Sequence, residues 1–225
     1  MRTIIESARN GTVAARRMIF LPAAFTGPED FLKADFVGAV RKRALEIDLV
    51  FTDMKVQHLS DRTLLRRLRH ELVLPARAEG CLSVWLCGIS LGGYVALAYA
   101  ERYGGEIDGL CLLAPYLGNH IVTSEIQRAR GVVAWQPGEL AQDDDERRLW
   151  RFIKHHREHS VRLYLGFGEK DRFAYSHRMM ADALAAGQVA TVPGGHEWPV
   201  WRQLWEDFLD RQVMALSRTV VTAPL

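Results

Sequence analysis

Cysteine is scarce: Cys81, Cys87 and Cys111 are the only three in 225 residues. Their odd number, the lack of metal-type spacing and their apolar surroundings argue against a disulfide framework or a zinc site. They point instead to reduced, buried thiols and a cytoplasmic setting. None occupies a glycine-flanked turn that would display a thiolate nucleophile. Long apolar runs are missing too. None approaches the roughly 20 residues that span a bilayer, and "MRTIIESARNG" at the start lacks the apolar core of a secretory signal. Charge of one sign is also absent. Lys and Arg number 29 against 27 Asp and Glu, which leaves no electrostatic case for nucleic acid or an anionic membrane as partner. The densest basic stretch, "RTLLRRLRH" at 62–70, reads as the solvated face of a helix.

What is present is an alternation. Short apolar runs at 16–23 ("RRMIFLPA"), 47–53, 82–87, 109–114, 161–168 and 188–193 have strand length and composition. Between and after them lie helix-like stretches. They run from Glu29 to about Arg43, from about Ser60 to Ala78, after Ser90, from "DDDE" at 143–146 to about His159, and over 175–186 and 198–217. In "SDRT" (60–63), Ser60 is a candidate N-cap with an acid in the first turn. Residues 116–142 break the rhythm, with Gly118, Gly131, Pro137 and Gly138 interrupting short apolar pieces. Strands alternating with helices predict a parallel sheet covered on both faces. In such sheets ligands bind beyond the carboxyl ends of the strands.

One such end carries "LCGISLGGYVA", residues 86–96. Ser90 falls at the turn between the apolar run "CLSVWLC" and a helical stretch that closes on a glycine pair. The G-x-S-x-G spacing suits a nucleophile elbow. That turn holds the serine at a strained positive φ, where side chains two residues to either side would collide. Gly93 lets the following helix lie close to the sheet. A plain glycine-rich turn that binds phosphate is the competing reading, but the further glycines and the lysine of a P-loop are absent.

A serine hydroxyl is a weak nucleophile without a base and a group to orient that base. Asp171 follows the run 161–168 in "GFGEKDRF", and His196 follows 188–193 in "PGGHEWP". This is the chain order serine, acid, histidine, each on a loop after a strand. Among eight histidines, only His196 joins a glycine-flanked loop to a strand end. His155, His156 and His159 read as a solvated helix face, and no H-E-x-x-H or other metal-ligating pattern appears. His58, His70 and His177 read as ordinary surface or loop residues. His120 lies in the irregular segment that could overhang the site. Acyl transfer also needs two donors for the oxyanion. The amide of Leu91, directly after the nucleophile, is one candidate. The amide of Ala24, in the loop after the first strand, is the other.

With these residues in view, the chain resembles a small bacterial α/β-hydrolase of the esterase, lipase and thioesterase superfamily, in a group mostly without assigned substrates. The segments "FLPAAFTGPEDF", "GISLGG", "LLAPYLG", "LGFGEKDRFAYSH" and "PGGHEWPVWRQLW" carry the likeness over nearly the whole length. The resemblance implies one compact α/β-hydrolase domain over 1–225. Its sheet would be mostly parallel, with six or seven strands and helices on both faces, under a minimal cap at about 116–142. It implies Ser90 as nucleophile, Asp171 as orienting acid and His196 as base, with no metal and no organic cofactor. Tyr116, His120 and Trp135 are candidates for lining the substrate pocket, although core packing accounts for Trp135 equally well. Two departures stand out. Ala23 replaces an expected glycine in the oxyanion loop, and the H-G-G-G run of many lipases is missing. The expected activity is hydrolysis of a small to medium carboxylic ester or thioester through an acyl-enzyme. Acyl transfer on the same residues, or non-catalytic binding of a small molecule, are the alternatives. The sequence does not specify an oligomeric state.

Overall fold

The structure is a computed structural model and describes residues 1–8, 12–54, 63–141 and 143–217. Seven strands form one sheet: β1 (Thr3–Glu6), β2 (Arg16–Leu21), β3 (Asp48–Thr52), β4 (Ser83–Ile89), β5 (Gly109–Leu113), β6 (Arg162–Gly168) and β7 (Val189–Val192). Their order is β1-β3-β2-β4-β5-β6-β7, with only β1 antiparallel to its neighbour. Every residue of β3 and β5 is buried, as expected of strands covered on both faces. β1 is an edge strand that the pattern reading did not anticipate. Four residues with only partial burial carry no apolar run, and their partner is set by contact with β3 rather than by their own composition.

The chain leaves β2 towards β3 on one side and later leaves β4 towards β5 on the other. Right-handed crossovers taken in opposite directions place their helices on opposite faces of the sheet. On one face lie α1 (Pro28–Lys33), α2 (Phe36–Lys42) and the last helix, α8 (Trp198–Ser217). Here Phe20 of β2 touches Phe31, Phe36, Phe51 and Trp205 at centroid distances of 4.6–5.9 Å. The Trp205 indole N–H donates to the Phe36 carbonyl at 3.1 Å. The stretch 29–43 is therefore two helices rather than one. Asp35 breaks it at φ 58°, and Arg202 of α8 holds the break by donating to the Asp35 carbonyl at 3.0 Å.

On the other face, a helix runs Leu64–Leu68, passes through a π-helical turn at Arg69–Val73 and continues as Leu74–Ala78; we call it α3. The proposed Ser60 cap lies outside the described residues. Next on this face are α4 (Leu91–Tyr103) and α6 (Asp145–Lys154), tied by Arg148 to Glu101 at 2.9 Å. Between β5 and α6, the segment expected to be irregular contains a helix, α5 (His120–Arg128). It is fastened to α6 by the Arg147–Glu125 ion pair and by Trp150 donating to the Leu117 carbonyl at 2.9 Å. α7 (Ala174–Ala181) follows β6. The order of strands reverses between β2 and β4, and it is beyond the carboxyl ends of strands at such a reversal that open α/β sheets bind their ligands.

Candidate active site

Ser90 connects β4 to α4 with φ 51° and ψ −113°, a conformation that a residue bearing a side chain adopts only at a cost. The neighbouring glycines make it possible. A Cβ on Gly88 would come within 2.4 Å of the Gly92 carbonyl oxygen. One on Gly92 would meet the Leu21 carbonyl oxygen at 2.0 Å, and one on Gly93 would meet Pro115 Cβ at 2.6 Å. α4 therefore begins pressed against the end of β2 on one side and the chain after β5 on the other. The turn is also hydrogen-bonded from outside. Ser90 N–H donates to the Leu113 carbonyl at 3.1 Å, and Tyr116 N–H donates to the Ser90 carbonyl at 2.8 Å.

The loops after β6 and β7 are zipped together. Glu169 N–H donates to the Val192 carbonyl and Lys170 N–H to the Gly194 carbonyl, each at 2.9 Å. A Cβ on Gly168 would strike the Gly194 carbonyl oxygen at 2.5 Å. This closeness brings the acid and the histidine into register. His196 Nδ1 lies 2.7 Å from Asp171 Oδ2, and its Nε2 lies 2.9 Å from Ser90 Oγ. Asp171 uses its other oxygen to accept from the Phe173 amide at 2.8 Å. Burial alone would raise the Asp171 pKa, but the hydrogen bonds from His196 and the Phe173 amide outweigh it and hold the group below the usual value. An ionised Asp171 can only accept a hydrogen bond, so the imidazole proton sits on Nδ1 and is donated to Asp171 Oδ2. The lone pair of Nε2 is then left for the serine hydroxyl.

The imidazole is also held by packing. Phe173 meets it at 5.2 Å and Trp201 at 5.0 Å, both nearly perpendicular. Tyr116 is half-buried and stands 5.6 Å from Phe173, which places it beside the three polar residues. His120 is exposed on the first turn of α5, and Trp135 is buried in the core. Leu91 occupies the first position of α4, where an amide has no acceptor within the helix. Ala24 sits in an exposed turn in which Thr26 N–H donates to the Ala23 carbonyl and Phe25 has φ 62°. Glu169 is exposed.

Two histidines depart from the sequence reading. His177 is fully buried rather than on the surface. His156 is buried as well, its Nδ1 3.1 Å from the Ile153 carbonyl oxygen, whereas His159 is exposed as expected. The missed signal for His177 is helical spacing, since Ala174, His177 and Met180 recur every three residues and all three are buried. Among the described residues, no group of three or more His, Cys, Asp or Glu side chains is arranged to hold a metal ion. Nor is any described helix long and apolar enough to cross a membrane.

Residues 69–182 match the family model described as "Serine aminopeptidase, S33". The chain belongs to this family. It is a serine hydrolase with the α/β-hydrolase fold. The matched span holds Ser90 and Asp171, while His196 lies beyond it. Solved structures agree on the fold of this hydrolase. S-formylglutathione hydrolase from Staphylococcus aureus superposes with a TM-score of 0.61 at 13% identity, over 90% of this chain and 83% of that one. Est1E from Butyrivibrio proteoclasticus, solved with ferulic acid bound, gives 0.60 at 15% identity over 95% of both chains. A monoacylglycerol lipase from Paleococcus ferrophilus gives 0.54 at 13% identity, over 95% and 98%. No functionally curated protein matches the hydrolase in sequence.

Proposed function

We propose that this hydrolase cleaves carboxylic esters or thioesters through an acyl-enzyme. The observation that carries the reading is the unbroken line from Ser90 Oγ to His196 Nε2 and from His196 Nδ1 to Asp171. Ser90 Oγ attacks the substrate carbonyl carbon as His196 Nε2 takes its proton. The resulting oxyanion is held by the amides of Leu91 and Ala24. His196 then returns the proton to the departing alkoxide or thiolate, which leaves the acyl group on Ser90. Water attacks that ester, again giving a proton to Nε2, and the acid is released as Ser90 recovers its proton. Asp171 fixes the tautomer and steadies the imidazolium in both halves.

We read the segment at about 116–142 as a minimal cap over the site of a single domain. That supports small to medium acyl groups over long lipid chains, with Tyr116 and His120 at the edge of the pocket. The names of the structural neighbours span an S-formylglutathione hydrolase, a protein with ferulic acid bound and a monoacylglycerol lipase, which fits ester chemistry. A series of p-nitrophenyl esters from acetate to palmitate tests the reading. Turnover should peak at short or medium acyl chains and vanish in Ser90→Ala. A rate that climbs steadily to the longest chain contradicts the minimal cap, and turnover that persists in Ser90→Ala contradicts the nucleophile.

A further inference from the structure

His177 makes one hydrogen bond. Its Nε2 lies 2.8 Å from the Pro115 carbonyl oxygen, and a carbonyl can only accept, so Nε2 carries the proton. Nδ1 is then a bare lone pair, buried without a partner. Burying an unsatisfied acceptor carries a desolvation cost. An apolar side chain of similar volume would fill the same space between Phe167 and its neighbours without that cost. Core packing therefore does not account for a histidine here.

The hydrogen bond to Pro115 does. The carbonyl of Pro115 and the N–H of Tyr116 are opposite edges of one planar trans peptide unit. His177 donates to one edge, and the other edge donates to the Ser90 carbonyl. This plane follows directly on Ala114, whose φ of 48° turns the chain sharply after β5. It also presses on α4 where Gly93 leaves room for Pro115. Hydrogen bonds in such a chain polarise one another, so the donor at one end strengthens the bond at the other. We propose that His177 is a positioning residue for the nucleophile, acting through the Pro115–Tyr116 peptide plane on the strained backbone of Ser90. The inference rests on Ser90 being the nucleophile. It also links the two halves of the site, because α7, which bears His177, starts three residues after Asp171.

The imidazole stays neutral in this role. Burial pushes its pKa down to about 4, against the opposing pull of the Pro115 carbonyl and Asp171, while the nearby His196 and Arg178 push it the same way as burial.

The test compares three variants on the best ester of the series, each checked for folding by circular dichroism at the assay temperature. His177→Gln carries an amide N–H to about the place of Nε2, and His177→Asn is too short to reach Pro115. His177→Leu removes the donor altogether. The expected result is kcat within about threefold of wild type for His177→Gln. For His177→Asn and His177→Leu, kcat should fall by roughly 10- to 100-fold with KM little changed, the scale at which small misplacements of a reacting group are felt. If His177→Leu does not fold, the Gln and Asn pair decides. Equal kcat for Gln and Asn, or a loss that only follows the folded fraction, overturns the proposal while leaving the ester reading intact. A wild-type protein inert to every ester and to serine-directed probes overturns both.

Discussion

Asp171 and Glu169 stand two residues apart after β6, and only Asp171 reaches the imidazole, at 2.7 Å. Glu169 uses its backbone to join the two loops and leaves its side chain exposed. Asp171→Asn keeps the shape but offers Nδ1 a competing donor and favours the wrong tautomer. We expect kcat to fall by roughly 10⁴, the scale seen when this role is removed from a serine protease triad. Glu169→Gln should cost less than about tenfold, as for a surface change away from the reacting atoms. Steady-state kinetics of the two folded variants check this, and a crippled Glu169→Gln would mean that the third member is wrongly assigned. Ser90, Asp171 and His196 could be picked out of the sequence because each stands at a strand end among small or turn-forming residues. His177 could not be assigned a role, since its partner is a carbonyl 62 positions away. Phe173 and Trp201, which pack against His196, carry no turn signal or spacing that marks them in the sequence.

Among elements, the sharp junction of β4 with α4 decides whether the site exists. It depends on backbone meeting backbone, so it tolerates no side chain at Gly92. Gly92→Ala places a Cβ 2.0 Å from the Leu21 carbonyl oxygen, and either α4 or the end of β2 must give way. The expected cost is about 1–3 kcal/mol of stability, as for other overpacked sites, together with a loss of kcat of about 10²-fold as Ser90 moves. Gly105→Ala is the control, because nothing lies within 4 Å of its added Cβ, and its stability should stay within about 0.5 kcal/mol. Urea unfolding and kinetics of the pair measure both. Six of the seven strands were legible because buried parallel strands read as continuous apolar runs. β1 was not, because an edge strand is specified by its partner. The break at Asp35 was not, because an amphipathic period continues across it and Arg202, 167 residues later, holds it.

For the whole molecule, the reversal of strand order between β2 and β4 fixes where reacting groups gather, and loops after β4, β6 and β7 supply them. The fold is shared with solved structures at 13–15% identity, so it follows from the pattern of buried strands and helices rather than from particular side chains. The central claim is that Ser90 is a nucleophile activated by His196. A fluorophosphonate probe tests it most directly, by intact mass and then peptide mapping of the folded protein. The account predicts a single adduct, located on Ser90, absent in Ser90→Ala and formed far more slowly in His196→Ala. An adduct that maps elsewhere, or that persists in Ser90→Ala, would contradict it.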